Sequence, residues 1–548
     1  MILPRVKKYR RTSGAFSKRM IFDPCCEMAL VAIRLLSIFI PFVSFEACNG
    51  ATVFLEKRSF EKVGSYELNV REESITLFYG ELEGLRNAIA TLAQVYNGGI
   101  IDCCEIYDEP DNYFRSCMFD LARGYVEIAV LKEHIVRAAL LKFNHIHLHL
   151  MDRQSYVLQS KVVPNPDNHR LYTEQEMKEV CEFCKALCLE VIPEIEIPAH
   201  AVNQIKALPE LACDIIDKRK AVARICQLNN PRKREFTDNK HSVSSWVVCA
   251  GKESTYELYE KIVAEICELF DGKYLHIGGD ELEFPHLGAH HHWDNCVQCK
   301  ERMQAENLHS IRDLYYYLMR RMYKIVNKYG KRMIIWNDQL DVSNPIDIPK
   351  DIIVEYWNGA VITDENCILQ KLCEQGFEVI NAHYRYTYPD LPSYMQENNI
   401  CKWNVRTDML GEPEVKGRIL GGEICAWELG NPLYDFYPSS LPVCMILFAD
   451  RVWNNNTIDY DENYKESVFS NMIGKNVDWH PFGLFKEIIP PRDCQRNQLE
   501  GIDFDKVDCS VLQEILFKMQ KINLNEIYGK IVLNSYIDFL NRIKNCLS

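Results

Sequence analysis

The sequence predicts an α/β fold: a closed (β/α)₈ barrel, preceded by a small α+β domain and followed by a helical C-terminal segment. Three observations carry this. Between Cys117 and Ile424, eight short apolar runs alternate with helical stretches, as parallel strands joined by crossover helices do. Carboxylates, histidines and tryptophans collect just after those runs, at the end where a barrel keeps its site. No glycine-rich phosphate loop follows the first run, which sets aside a doubly wound sheet.

Taken in order, residues 1–112 mix a strand-like run, Ser74 to Tyr79, with a helical one, Glu81 to Tyr96, and close on the turn Glu109-Pro110-Asp111-Asn112. The first twenty residues are basic but lack the apolar core of a signal peptide. Met28 to Val43 is short for a membrane span and carries Arg34 near its middle, so it reads as a buried helix. No targeting segment is apparent, and a cytoplasmic protein is expected. Residues 113–485 form the expected barrel. Its strands are Cys117 to Leu121, Asn144 to Leu150, Leu189 to Ile195, Tyr274 to Ile277, Met333 to Trp336, Ile352 to Trp357, Phe377 to Ile380 and Ile419 to Ile424. Helices such as Val130 to Leu141, Glu174 to Cys188, Ser254 to Phe270 and Ile311 to Tyr329 separate them. Residues 486–548 read as helical (Val511 to Gln520, Leu533 to Cys546) and would cap the barrel or form a homodimer contact.

At 548 residues the chain can bury more than one core. Its net charge of −14 leaves no basic excess to neutralise phosphates, which excludes a nucleic-acid partner. The 23 cysteines, an odd number scattered along the chain, fit reduced thiols in a cytosolic setting.

The chemistry centres on His276-Ile277-Gly278-Gly279-Asp280-Glu281. An apolar strand leads into two glycines, where the backbone turns closely, and then into two carboxylates. Neighbouring side chains diverge on an extended backbone, so Asp280 and Glu281 can reach two atoms of one substrate, as acid/base work on glycosides requires. An ionised Asp280 also disfavours a second negative charge beside it, which favours a protonated acid. Other strand ends supply Asp120 and Arg123, Asp152, Glu196 and His200, Trp336-Asn337-Asp338, Trp357, and Trp427-Glu428. Tryptophan faces stack on sugar rings and charged groups bond hydroxyls. His145, His147 and His149 share one strand face and read as hydrogen-bonded core residues, with a catalytic metal as the lesser reading.

Together these residues resemble glycoside hydrolase family 20, the β-N-acetylhexosaminidases, from about Tyr66 to about Asn454. The resemblance implies an exo-acting enzyme that removes terminal β-linked N-acetylglucosamine, with N-acetylgalactosamine left open, and needs no catalytic cofactor. It implies Glu281 as general acid and then base. Asp280 orients the substrate's 2-acetamido group, whose oxygen attacks the anomeric carbon and gives an oxazolinium intermediate with net retention. Tyr388 would bond the acetamido oxygen. Asp390 would bind sugar hydroxyls, and Arg123 would read O3 and O4. Trp336, Trp357 and Trp427 would wall the terminal sugar, with Glu428 beside the last. Asp152, Glu196 and His200 would form a buried polar network behind the pair. The chain departs from many members in Arg153, in Glu196 where aspartate is usual, and in Leu429 where a carboxylate is usual. A barrel glycosidase for sugars lacking an acetamide, and a non-catalytic sugar-binding protein, are the alternative readings.

One cluster stands apart. His290-His291-His292-Trp293-Asp294-Asn295-Cys296-Val297-Gln298-Cys299 has CxxC spacing with histidines upstream. A structural zinc on Cys296, Cys299 and His292 is one reading, and a metal-free loop of reduced thiols is the other.

Overall fold

The structure, a computed structural model, describes residues 2–41, 43–214, 247–282, 293–358, 367–389, 400, 403–409, 412–427, 429 and 441–455. Asp390, Glu428, His292 and the helical segment expected over 486–548 lie outside the described residues.

The N-terminal part is a seven-stranded sheet in the order β1-β7-β5-β6-β4-β2-β3. Its strands are β1 (Lys8–Phe16), β2 (Ile21–Phe22), β3 (Glu46–Ala47), β4 (Val53–Lys57), β5 (Tyr66–Val70), β6 (Ile75–Tyr79) and β7 (Ile101–Asp108). The apolar run around Arg34 is the helix Ala29–Phe39, with Ala29, Ala32, Leu35, Leu36 and Phe39 buried. No described helix is long and apolar enough to cross a membrane. The helix Leu82–Val95 packs on β5 and β6. Its start is fixed by Glu81, whose carboxylate accepts the Gly84 N–H at 3.0 Å.

The barrel closes in sequence order from β8 to β15, with every neighbouring pair parallel. The strands are β8 (Phe114–Asp120), β9 (His145–His149), β10 (Glu190–Glu194), β11 (Tyr274–His276), β12 (Arg332–Trp336), β13 (Ile353–Tyr356), β14 (Glu378–Asn381) and β15 (Ile419–Ala426). Capping boxes start two of the outer helices, Thr173 with Glu176 and Ser310 with Asp313. The second, Ile311–Lys328, buries Leu314, Leu318, Met322 and Ile325, an apolar stripe of helical period.

The barrel interior is layered. Phe114, Ile192, Tyr274, Ile334, Ile353 and Ile380 form an apolar plug of buried residues from six barrel strands. Two residues further on, the inward positions become polar: Ser116, His147, Glu194, His276, Glu355 and Glu423, all buried. The site stands on this layer.

Candidate active site

The polar layer is held by mutual pairing, which buried charges require. His147 Nδ1 lies 2.7 Å from Glu423 Oε1, and its Nε2 lies 3.2 Å from Glu194. Glu194 also contacts His149 and takes the Trp336 Nε1–H at 2.7 Å, with His276 Nδ1 at 3.0 Å. Burial opposes charge on His147 and His149. The carboxylates around them outweigh it, raising His147 to about 10 and His149 to about 9. His145, against Phe114 in the apolar plug, is instead pushed by burial down to about 3. The three alternating histidines are therefore paired or packed core groups, as their shared face predicts.

At β11 the chain leaves the barrel through Gly278 and Gly279, both at positive φ. A Cβ on Gly278 would collide with the Glu196 carboxylate, and one on Gly279 would lie 2.9 Å from Tyr315 Oη. Two glycines are thus demanded by close approach. Glu281 follows in the left-handed region, φ 50°, a conformation rarely adopted by such a residue. Its N–H donates to Asp338 Oδ2 at 2.9 Å. Asp338 also accepts Trp357 Nε1–H at 3.2 Å and Gln339 Nε2–H at 2.8 Å. Burial and the charge of Asp280 raise Asp338 to about 7. The sequence places Asp338 at a strand end without a role, and in the structure it holds the backbone of Glu281.

His200 Nε2 lies 3.3 Å from both Asp280 Oδ2 and Glu281 Oε2. Its Nδ1 lies 3.2 Å from Asp152 Oδ1. Burial works against a charge on His200, yet Asp152 and Asp280 hold its proton affinity well above that of an ordinary imidazole. The imidazole therefore bridges Asp152 and Asp280, with Glu281 beside it. Asp152 meets Arg123 Nη2 at 2.7 Å, and Arg123 Nη1 meets Asp120 at 3.0 Å. Burial, Asp280 and Glu194 push Glu196's proton affinity well above that of a free carboxyl. Asp152, Glu196 and His200 are all nearly fully buried, so they lie behind the pair and not on a sugar-facing wall.

The aromatic residues assemble above the polar layer. Trp427 lies 5.9 Å from Trp336 and 5.7 Å from Tyr388, and Trp357 stacks with Tyr388 at 6.3 Å. The Arg123 guanidinium lies 4.7 Å from the Trp427 ring. Trp336 is 1% exposed with its N–H engaged below, so it is the floor of this box, while Trp357 and Trp427 are partly open walls. One detail is decisive for chemistry. Asp280 Oδ1 is buried and has no hydrogen-bond partner among the described residues.

Residues 113–429, more than half of the chain, match the family profile "Glycosyl hydrolase family 20, catalytic domain". The chain belongs to glycoside hydrolase family 20. It is 30% identical over 251 residues to a beta-hexosaminidase of Porphyromonas gingivalis, covering 43% of this chain but only 29% of that protein. It is 24% identical to the mouse beta-hexosaminidase subunit alpha over 426 residues, 74% of each chain. The fold is similar to the crystal structure of a β-N-acetylhexosaminidase from Bacteroides fragilis, at a TM-score of 0.71 and 23% identity over 86% of this chain and 95% of that one. In this family-20 barrel, the resemblance read from the strand-end motifs corresponds to one contiguous site around Asp280 and Glu281.

The cysteine cluster gains two residues, while His292 lies outside the described residues. Among the described residues, Cys296 and Cys299 are joined in one buried group by Cys213 and Cys249, from two other segments. Neither thiol has a CxxC partner, so only the fold could reveal them.

Proposed function

We propose that the protein is an exo-β-N-acetylhexosaminidase that works by substrate-assisted, retaining hydrolysis. The observation that carries the mechanism is the asymmetry of the pair. Asp280 is the more enclosed, bound through His200 to Asp152 and left with an unpaired acceptor oxygen. A buried carboxylate oxygen without a donor is costly, and the acetamido N–H of a bound sugar relieves that cost. Glu281 is more open, with 19% of its side chain exposed, suiting the residue that exchanges a proton with leaving group and water.

In the first step, Asp280 holds the acetamido N–H and turns the carbonyl oxygen onto the anomeric carbon. The new C–O bond forms as the glycosidic bond breaks, and Glu281 gives its proton to the departing oxygen. In the second step, Glu281 takes a proton from water, which opens the oxazolinium ion from the same face the leaving group left. The two displacements retain configuration. Tyr388, Trp357 and Trp427 enclose the acetamido group over the Trp336 floor. Arg123 and, outside the described residues, Asp390 and Glu428 are assigned to the ring hydroxyls.

The relatives named as beta-hexosaminidases support the activity, and the lack of a disulfide among the described cysteines supports a cytoplasmic location. Release of an aryl group from an aryl β-N-acetylglucosaminide tests the assignment. Turnover is expected, with none on the matching glucoside. Inactivity on every aryl N-acetylhexosaminide would remove the proposal.

A further inference from the structure

We infer that Cys213, Cys249, Cys296 and Cys299 form a four-thiolate structural zinc site that fastens the loops around the catalytic pair. The four sulfurs come from three separated segments, yet one Sγ from each lies within 4.8 Å of all the others. All four residues are buried, Cys213 at 4% exposure and the rest at 0%. Cys249 Sγ is 3.6 Å from both Cys296 Sγ and Cys299 Sγ. Zinc–sulfur bonds of about 2.3 Å in a tetrahedron set the sulfurs about 3.8 Å apart, whereas a disulfide needs about 2.05 Å. The observed spacing therefore suits a shared ion.

The surroundings suit four thiolates. Cys296 is the N-cap of the helix Val297–Ala305 and Cys299 lies in its first turn, where the helix dipole favours negative charge. The Lys252 ammonium stands beside the first segment, donating to the carbonyls of Glu210 and Ala212 at 3.0 and 2.7 Å. The segments are also fitted to each other. A Cβ on Gly251 would strike the backbone of Gln298 and Cys299, Val297 N–H donates to Asp214 at 3.3 Å, and Trp293 Nε1–H donates to Val248 at 2.9 Å.

The placement gives the site a purpose. Cys213 follows His200 by thirteen residues, and Cys296 follows Glu281 by fifteen. Val248 N–H donates to Pro198 O at 2.9 Å, beside the turn that carries His200. An ion here ties the chain leaving β10 to the chain returning from the catalytic acid.

The test uses tag-free, full-length protein purified without chelator. Elemental analysis and native mass spectrometry are expected to find one zinc per chain. Cobalt substituted for zinc is expected to show the intense visible bands and sulfur charge-transfer band of tetrahedral thiolate ligation. Cys213→Ser and Cys299→Ser should each lose the metal and melt at lower temperature, while Cys267→Ser, outside the cluster, should keep it. Because the serine variants can fail to fold, the cobalt spectrum of the unmodified protein decides independently. Metal-free protein in which peptide mapping after alkylation finds Cys213, Cys249, Cys296 and Cys299 as free thiols, or joined in disulfides, would overturn the inference.

Discussion

Asp280 and Glu281 are neighbours in sequence with different surroundings, and their substitution should separate their roles. Glu281→Gln removes the only proton donor assigned to the leaving group and should lower kcat by about 10²–10⁴-fold. An aryl substrate with a very acidic leaving group should recover much of the first step, since it departs without protonation. Asp280→Asn keeps shape but presents an amide to the acetamido N–H, and should lower kcat/KM by about 10²–10³-fold on good and poor leaving groups alike. Equal rescue of both variants by a good leaving group would contradict the division of labour. Gly278→Ala drives a methyl group into the Glu196 carboxylate at a positive-φ position. It should cost about 1–3 kcal/mol in urea unfolding and disturb activity through Glu196 and Asp280. An unchanged unfolding midpoint would show that Glu196 can retreat.

The strands show how much of this was legible. All eight barrel strands follow the apolar runs to within a few residues, because a parallel strand buried on both faces is largely apolar. The strand Lys8–Phe16 was not visible, because it lies on the edge of its sheet with exposed residues such as Tyr9, Arg10 and Arg11 and carries no apolar alternation. Glu194, Glu355 and Glu423 hide inside apolar strands, where sequence shows a charge but not its partner. Their pairing with histidines gives a pH prediction. Raised groups, His147 at about 10 and His149 at about 9, add stability that is complete below the unfolded imidazole value of about 6.5 and lost as pH rises through their folded values. Depressed groups, His145 and His383 at about 3, contribute oppositely: their stability is present above about 6.5 and lost as pH falls below it. Thermal melting across pH should therefore peak near neutrality and fall on both flanks, and a His147→Leu variant should flatten the alkaline flank. An alkaline flank identical to the wild type would contradict the pairing.

Across the whole molecule, a buried knot is among the contacts that join the N-terminal sheet to the barrel, beside the Arg115–Glu83 pair and the Arg86 bond to Ala139 O. Asp108 at the end of β7 accepts from Lys142 Nζ at 2.7 Å, from Tyr66 Oη at 2.9 Å and from Trp453 Nε1 at 2.9 Å, the last in the helix Leu441–Asn454. Lys142 and Asp108 are both fully buried. Asp108→Ala strands a buried ammonium and should destabilise the protein by about 3–5 kcal/mol in denaturant unfolding, and a change under 1 kcal/mol would mean that the two parts are not coupled there. The barrel so supported presents the site at which, in the proposed mechanism, the substrate carries its own nucleophile. Successive fluorination of the acetamido methyl weakens that carbonyl oxygen and leaves the rest of the sugar nearly unchanged. Measured as kcat/KM on aryl β-N-acetylglucosaminides bearing none, one, two or three fluorines, activity is predicted to fall steeply at each step. A rate independent of fluorination would show that an enzyme group, and not the acetamide, attacks the anomeric carbon.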